Sequence, residues 1–201
     1  MKFLALDLAA VTGFAVGDSG SMPTRSGSVR MRDRGEAFDV AVRNLACFIR
    51  DIIVTEPIGA IVVEAFLDPS VLSQAKSDDE DRMRRSPDAV IAQIKMHGCV
   101  LAMCGLYGLR FESHTTQTIR KHFLGVAHAN AGSRGKKTAK QKDEMRRKTK
   151  EMVMQRAKLL GYMPKDKNDD NFADACAIYD FASAVLFRKP VKEAFAMFGG
   201  A

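Results

Sequence analysis

The sequence predicts an α/β protein with a central mixed sheet, an antiparallel N-terminal meander continued by parallel strands, flanked by helices. Three observations lead there. Residues 1–31 read as short extended runs separated by turns. Ala60-Ile-Val-Val-Glu-Ala-Phe follows a helical segment and is apolar at successive positions, the mark of a strand covered on both faces. From residue 35 onward, helical and extended patterns alternate, the order that places strands in parallel. With 201 residues and 46% hydrophobic content, the chain is long enough to bury a real core in one domain.

The elements follow in order. Residues 2–8 form an apolar strand, Ala9 to Gly13 turn around Val11-Thr12-Gly13, and Phe14-Ala-Val-Gly resumes the extended pattern, giving a hairpin. A third strand is expected around Ser26–Met31. Over residues 35–54, Phe38, Val42, Leu45, Phe48, Ile49 and Ile52 share one helical face, and Pro57-Ile-Gly closes the segment before the buried strand. Residues 68–87 are polar and charged and read as a loop or a mobile helix start. Ser86 caps, and Pro87 opens, an apolar helix over about 87–106. Leu109-Arg-Phe-Glu-Ser is a short strand, Thr115 to Phe123 begins a helix, and residues 125–142 are a basic loop. A basic amphipathic helix spans 143–160 and ends at Gly161, and a last helix runs from about 170 to 187. Residues 1–188 thus read as a single domain, with 189–201 as a tail. This succession, β-β-β-α-β-α-β-α-α-α, is that of a ribonuclease-H-like domain.

Composition narrows the partners. The net charge of +7 favours a polyanion, either nucleic acid or an anionic membrane surface. No run of about 18 apolar residues stands out, so no membrane span is expected. Asp7 comes too early for a signal-peptide core. Cys47, Cys99, Cys104 and Cys176 lie in apolar surroundings without metal-ligand spacing, as reduced core residues of an intracellular protein do.

Four acids stand out by position. Asp7 lies in one apolar strand and Glu64 at the end of another, while Asp170 and Asp174 are four apart at a helix start and share its face. A carboxylate beside a sheet core is costly unless paired or bound to metal. Carboxylates gathered from two strands and a helix suit two Mg²⁺ or Mn²⁺ ions, which take oxygen ligands and support phosphodiester hydrolysis. Three of them also have a plainer role open to them. Asp7 can bond turn amides, Glu64 can pair with a cation, and Asp170 is a good helix N-cap.

The segments Leu-Asp7-Leu-Ala-Ala-Val-Thr12-Gly13-Phe-Ala-Val, Ile-Val-Val-Glu64-Ala-Phe66 and Asp169-Asp170-Asn171-Phe-Ala173-Asp174-Ala175 resemble the RuvC-type Holliday junction resolvases, in particular divergent phage and bacterial members. The resemblance extends in element order over about residues 1–185. It implies a metal-dependent endonuclease that acts as a homodimer on four-way DNA junctions and leaves 5′-phosphate and 3′-hydroxyl ends. It implies no small-molecule cofactor and a bacterial cytoplasmic setting, phage-encoded or not. Asp7, Glu64 and Asp174 are its implied metal ligands. The family often places the fourth three residues before the last acid, where this chain has Asn171. Asp170 is preferred for its helix face, with Asp169 and Asn171 as fallbacks. The first loop lacks the family's Asp-Pro-Gly start, so Thr12 and Gly13 carry that match. Phe66 or Leu67 takes the place of the family's DNA-stacking aromatic, and Phe66 fits a core position equally well.

The cations cluster in one segment. Arg134, Lys136, Lys137, Lys140, Lys142, Arg146, Arg147, Lys148, Lys150, Arg156 and Lys158 face only Asp143, Glu144 and Glu151 between them. Such a run can be a solvated helix face, but its density favours phosphate contact. Arg120 and Lys121 extend the patch, and Arg82, Arg84 and Arg85 offer a second approach to DNA. His114 lies near the expected site, where a structural role also suits it. No base-reading module is visible, so recognition should rest on shape and phosphates, which suits a branched junction. In the apolar helix at 87–106, Met96, Val100 and Met103 serve either a dimer face or the core. Two alternatives keep part of this reading: a nuclease of other branched DNA or RNA/DNA hybrids, and a DNA-binding relative without activity.

Overall fold

The computed structural model describes residues 1–66, 87–126 and 138–187. Leu67, the charged loop with Arg82, Arg84 and Arg85, the Ser86 cap, Arg134, Lys136, Lys137 and the tail 189–201 lie outside the described residues. The strands are β1 (Lys2–Asp7), β2 (Val11–Asp18), β3 (Arg25–Arg30), β4 (Ala60–Glu64) and β5 (Arg110–His114). The helices are α1 (Phe38–Thr55), α2 (Pro87–Tyr107), α3 (Thr116–Leu124), α4 (Ala139–Leu159) and α5 (Asp170–Phe181). The strands form one sheet in the order β3-β2-β1-β4-β5. β1, β2 and β3 pair antiparallel, whereas β4 is parallel to both β1 and β5, so the expected mixed sheet is present.

Strand periodicity divides the core in two. Phe3 and Ala5 of β1 and Ala60 and Val62 of β4 face α3, α4 and α5. Leu4, Leu6, Ile61 and Val63 face α1 and α2, whose Leu45, Ile49, Met96 and Val100 cover them. The same alternation carries the two strand acids. Asp7 continues the series Phe3, Ala5, and Glu64 continues Ala60, Val62, so both belong to the α5 side of the sheet. The β1–β4 register runs through Leu6↔Val63, which brings the two acids to adjacent positions at the carboxyl ends of parallel strands.

α5 lies across β1 and β2, and α3 and α4 pack on it. Two glycines permit that approach. A Cβ on Gly13 would collide with the backbone carbonyl of Asn171, and one on Gly17 with the hydroxyl of Tyr179. The Tyr179 hydroxyl donates to the carbonyls of Asp18 (2.9 Å) and Ser21 (3.0 Å), and its ring stacks on Phe3. The central strands are thereby bolted to α5 at both ends of β2.

Several sequence expectations change. Val11-Thr12-Gly13 is strand rather than turn. The chain reverses over residues 8–10, where the Thr12 hydroxyl donates to the Ala9 carbonyl at 2.8 Å. The basic helix begins at Ala139, because Thr138 and Gln141 form a reciprocal capping box. The last helix is regular only to Phe181 and continues as a π-helical turn, Ala182–Leu186. Asp169, not Asp170, is the N-cap of α5, accepting from Phe172 N at 3.1 Å and from the Ser28 hydroxyl. Met96, Val100 and Met103 are core residues; among the described residues, the exposed large apolar side chains of α2 are Ile91, Ile94, Leu101, Leu106 and Tyr107. Cys47 is exposed, unlike the core cysteine expected. Contrary to the expectation of no membrane span, Val90–Tyr107, with a mean hydropathy of 1.4, is long and apolar enough to cross a membrane by length and composition. In this fold it lays one face on α1 and the sheet, and 33% of the segment is buried.

Candidate active site

Sheet topology and the seating of α5 gather four carboxylates at one end of the molecule. Asp7 closes β1, Glu64 closes β4, and Asp170 and Asp174 occupy one face of the first turns of α5. Asp169 is spent on capping the helix and on Ser28, which leaves Asp170 free to share the face of Asp174. Asn171 follows on the turn that presses against Gly13.

The acids feel one another strongly. Burial holds the Asp7 carboxyl well above the usual carboxylate range. The negative charges of Asp174, Glu64 and Asp170 add to the effect, and Arg120 opposes it. Burial also pushes Asp174 up to about 6, against the pull of the Arg120 guanidinium. Asp170 is more open and runs the other way: a hydrogen bond from Lys150 lowers it and raises Lys150 in turn.

Three of the four acids have protein partners. The Thr116 hydroxyl donates to Glu64 Oε1, Lys150 Nζ to Asp170 Oδ2, and Arg120 lies 3.6 Å from Asp174 Oδ1. With the side chains so engaged, no three His, Cys, Asp or Glu among the described residues stand in metal-gripping geometry. The acids share a site and an electrostatic field, and Glu64, Asp170 and Asp174 each engage a protein partner through one carboxylate oxygen.

The remaining candidates separate into two zones. Arg120 belongs to the site itself. It is one-fifth exposed, and its buried Nε has no hydrogen-bond partner among the described residues. Thr12 is wholly buried and braces the β1–β2 turn. Phe66 is half-buried, its ring tilted against His97 at 5.1 Å. His114 turns to Glu112 (3.4 Å) and the Phe181 ring. Lys121, Lys140, Arg146 and Arg147 are exposed. α4 buries a narrow stripe of Thr149, Val153 and Ala157 and turns most of its cations to solvent. Arg146, Arg147 and Lys148 pair along the helix with Asp143, Glu151 and Glu144.

Sequence reasoning missed three residues here. Thr116 and His97, which touch Glu64, were not singled out, and Lys150 was read only as one cation among many. The spacing of 20 residues between Lys150 and Asp170 follows no local pattern. The one available signal was the stripe Thr149, Val153, Ala157, which sets Lys150 beside the buried face of α4.

No protein-family model matches the chain, and no curated protein matches it in sequence. Solved structures do match. RuvC of Thermus thermophilus aligns with a TM-score of 0.57 and 14% identity, over 92% of this chain and 97% of that one. The same protein in complex with a Holliday junction substrate aligns at 0.59 and 15%, over 95% and 99%. The yeast mitochondrial Holliday junction resolvase Ydc2 aligns at 0.50 and 11%, over 88% of this chain and 75% of that one. Sequence identity this low speaks for architecture alone, and the architecture is plain: this chain has a ribonuclease-H-like fold, the one these solved structures share.

Proposed function

We propose that the protein is a divalent-metal-dependent, structure-selective endonuclease that resolves four-way DNA junctions. The observation that carries this is the convergence of Asp7, Glu64, Asp170 and Asp174 at the carboxyl ends of β1 and β4, beside Arg120 and Lys150. The donor set fits Mg²⁺ or Mn²⁺ in its chemistry, being all carboxylate oxygen, and buried mutual repulsion is what a cation would relieve. Asp7, Glu64, Asp170 and Asp174 would hold two ions. Bound there, the ions would supply an activated water and Lewis-acid stabilisation of a leaving oxygen.

The protein's own groups have distinct tasks in this proposal. Asp7 and Glu64 are fixed by rigid strand ends, and Asp170 and Asp174 by a helix seated through Gly13. Arg120 and Lys150 bring positive charge to the rim of the acid cluster, where a scissile phosphate would lie. Lys121, Lys140, Arg146 and Arg147, together with Arg134, Lys136 and Lys137, hold the DNA backbone through phosphate contacts. Thr12 supports the turn after Asp7, and Phe66 stacks on an opened base at the junction. The enzyme works as a homodimer, each subunit cutting one of two symmetric strands, with the exposed Ile91, Ile94 and Leu101 of α2 as its partner face.

The test is incubation of the protein with labelled four-way junctions, flaps, forks and RNA/DNA hybrids, with Mg²⁺, Mn²⁺ or chelator. The proposal expects paired, symmetric nicks in the junction, dependent on metal. Faster cutting of another substrate would move the specificity. No cutting of any substrate would leave a DNA-binding relative without activity.

A further inference from the structure

We propose that His97 is a positioning residue for the candidate site, holding the end of β4 so that Glu64 and Phe66 keep their opposite orientations. The proposal takes Glu64 as a metal-holding acid, and in that it rests on the nuclease reading.

His97 sits on α2 beside the core residue Met96 and is only 8% exposed. A buried polar ring at such a place needs partners. Its Nε2 lies 2.8 Å from the backbone carbonyl of Glu64, and its Nδ1 lies 2.9 Å from the carbonyl of Gln93, one turn back on its own helix. Carbonyls only accept, and a neutral imidazole has one N–H to give. The Gln93 carbonyl is the ordinary helical acceptor of the His97 amide. The Glu64 carbonyl stands at the last position of its strand. The proposal takes the tautomer with its proton on Nε2, which donates to the Glu64 carbonyl.

The peptide after Glu64 is held from two directions. Its Ala65 amide donates to the carbonyl of His114 on β5 at 2.8 Å, and the Glu64 carbonyl accepts from His97 on α2. Between these two anchors the chain changes its facing. In an unbroken strand Glu64 and Phe66 would point to one side of the sheet. Here the Glu64 carboxylate meets Thr116, at the start of α3 on the α5 side, while the Phe66 ring lies 5.1 Å from the His97 ring on α2. One imidazole thus ties the acid's backbone and the aromatic's ring to the same helix. Losing it frees the bend that aims both.

The experiment compares His97→Leu, which keeps bulk without a donor, with His97→Gln, whose amide can donate from about the place of Nε2. Single-turnover cleavage of a four-way junction, junction affinity, Mn²⁺ affinity by calorimetry and thermal melting are measured for both variants and the wild type. For His97→Leu the expected result is a cleavage rate lower by about tenfold and weaker Mn²⁺ binding, with junction affinity within about twofold. His97→Gln is expected to recover to within about threefold of wild type in rate and Mn²⁺ affinity. A folded His97→Gln as impaired as His97→Leu, or a His97→Leu equal to wild type in both measures, overturns the proposal. If His97→Leu does not fold, impairment of the folded His97→Gln variant overturns it alone. A wild type that binds Mn²⁺ but cuts no substrate refutes the nuclease reading and leaves the Mn²⁺ comparison to judge His97. A wild type that binds no Mn²⁺ refutes both.

Discussion

Asp169 and Asp170 are neighbours with the same side chain, yet one is held by the helix it caps and the other by Lys150. Their substitutions should therefore part ways. Asp169→Ala removes a cap worth about 1 kcal/mol and should lower the melting temperature while leaving cleavage near wild type. Asp170→Ala should do the reverse, sparing stability and stopping cleavage. Matched effects of the two changes would contradict the assignment. Asp174 gives a second test at this scale. Its folded pKa, raised to about 6, means that the ion-free folded chain keeps a proton that the unfolded chain releases near an ordinary carboxylate pKa of about 3.9. Its contribution to stability is thus greatest at low pH and is lost as pH rises through that window. With chelator present, the melting temperature of Asp174→Asn should gain steadily on wild type between about pH 4 and 7. A pH-independent difference would contradict the buried carboxyl.

Among the elements, the seating of α5 on β2 matters most, because it delivers two of the four acids. Gly13→Ala inserts a Cβ into the Asn171 carbonyl, a backbone group that cannot rotate away. It should cost on the order of 3 kcal/mol in chemical denaturation and reduce cleavage, while Gly98→Ala, in open space on α2, should gain up to about 1 kcal/mol. Equal stability of the two variants would remove Gly13 from its role. What the sequence made legible follows the same division. The alternation in Phe3-Leu-Ala-Leu-Asp7 and Ala60-Ile-Val-Val-Glu64 is a local signal that foretells both the two-faced sheet and the shared side of its acids. Three successive polar residues, Asp169, Asp170 and Asn171, offered no local means of choosing the cap, since Ser28, 141 residues away, helps decide it. The early start of α4 was hidden because Thr138 and Gln141 sit within a run of lysines without apolar period. His97 was silent because its partner, the Glu64 carbonyl, lies 33 residues away.

At the scale of the whole molecule, the net charge of +7 and the acid cluster describe one arrangement. Cations line α4 and the site's rim, beside a cluster of four carboxylates of which Asp7 and Asp174 are buried. A polyanion drawn to the basic surface meets that cluster only if cations are present to reverse its sign locally. The fold contributes by bringing parallel strand ends and a helix start together at one edge, where open α/β sheets place their ligands. Asp7 is the member most enclosed by the others' charges, so its neutralisation is the most direct test. Wild type and Asp7→Asn should be compared on a labelled four-way junction, with cleavage followed in Mg²⁺ and Mn²⁺ and binding followed with chelator present. The account predicts metal-dependent cleavage by wild type, none by Asp7→Asn, and junction affinity within about twofold for the two proteins. Undiminished cleavage by Asp7→Asn would contradict it.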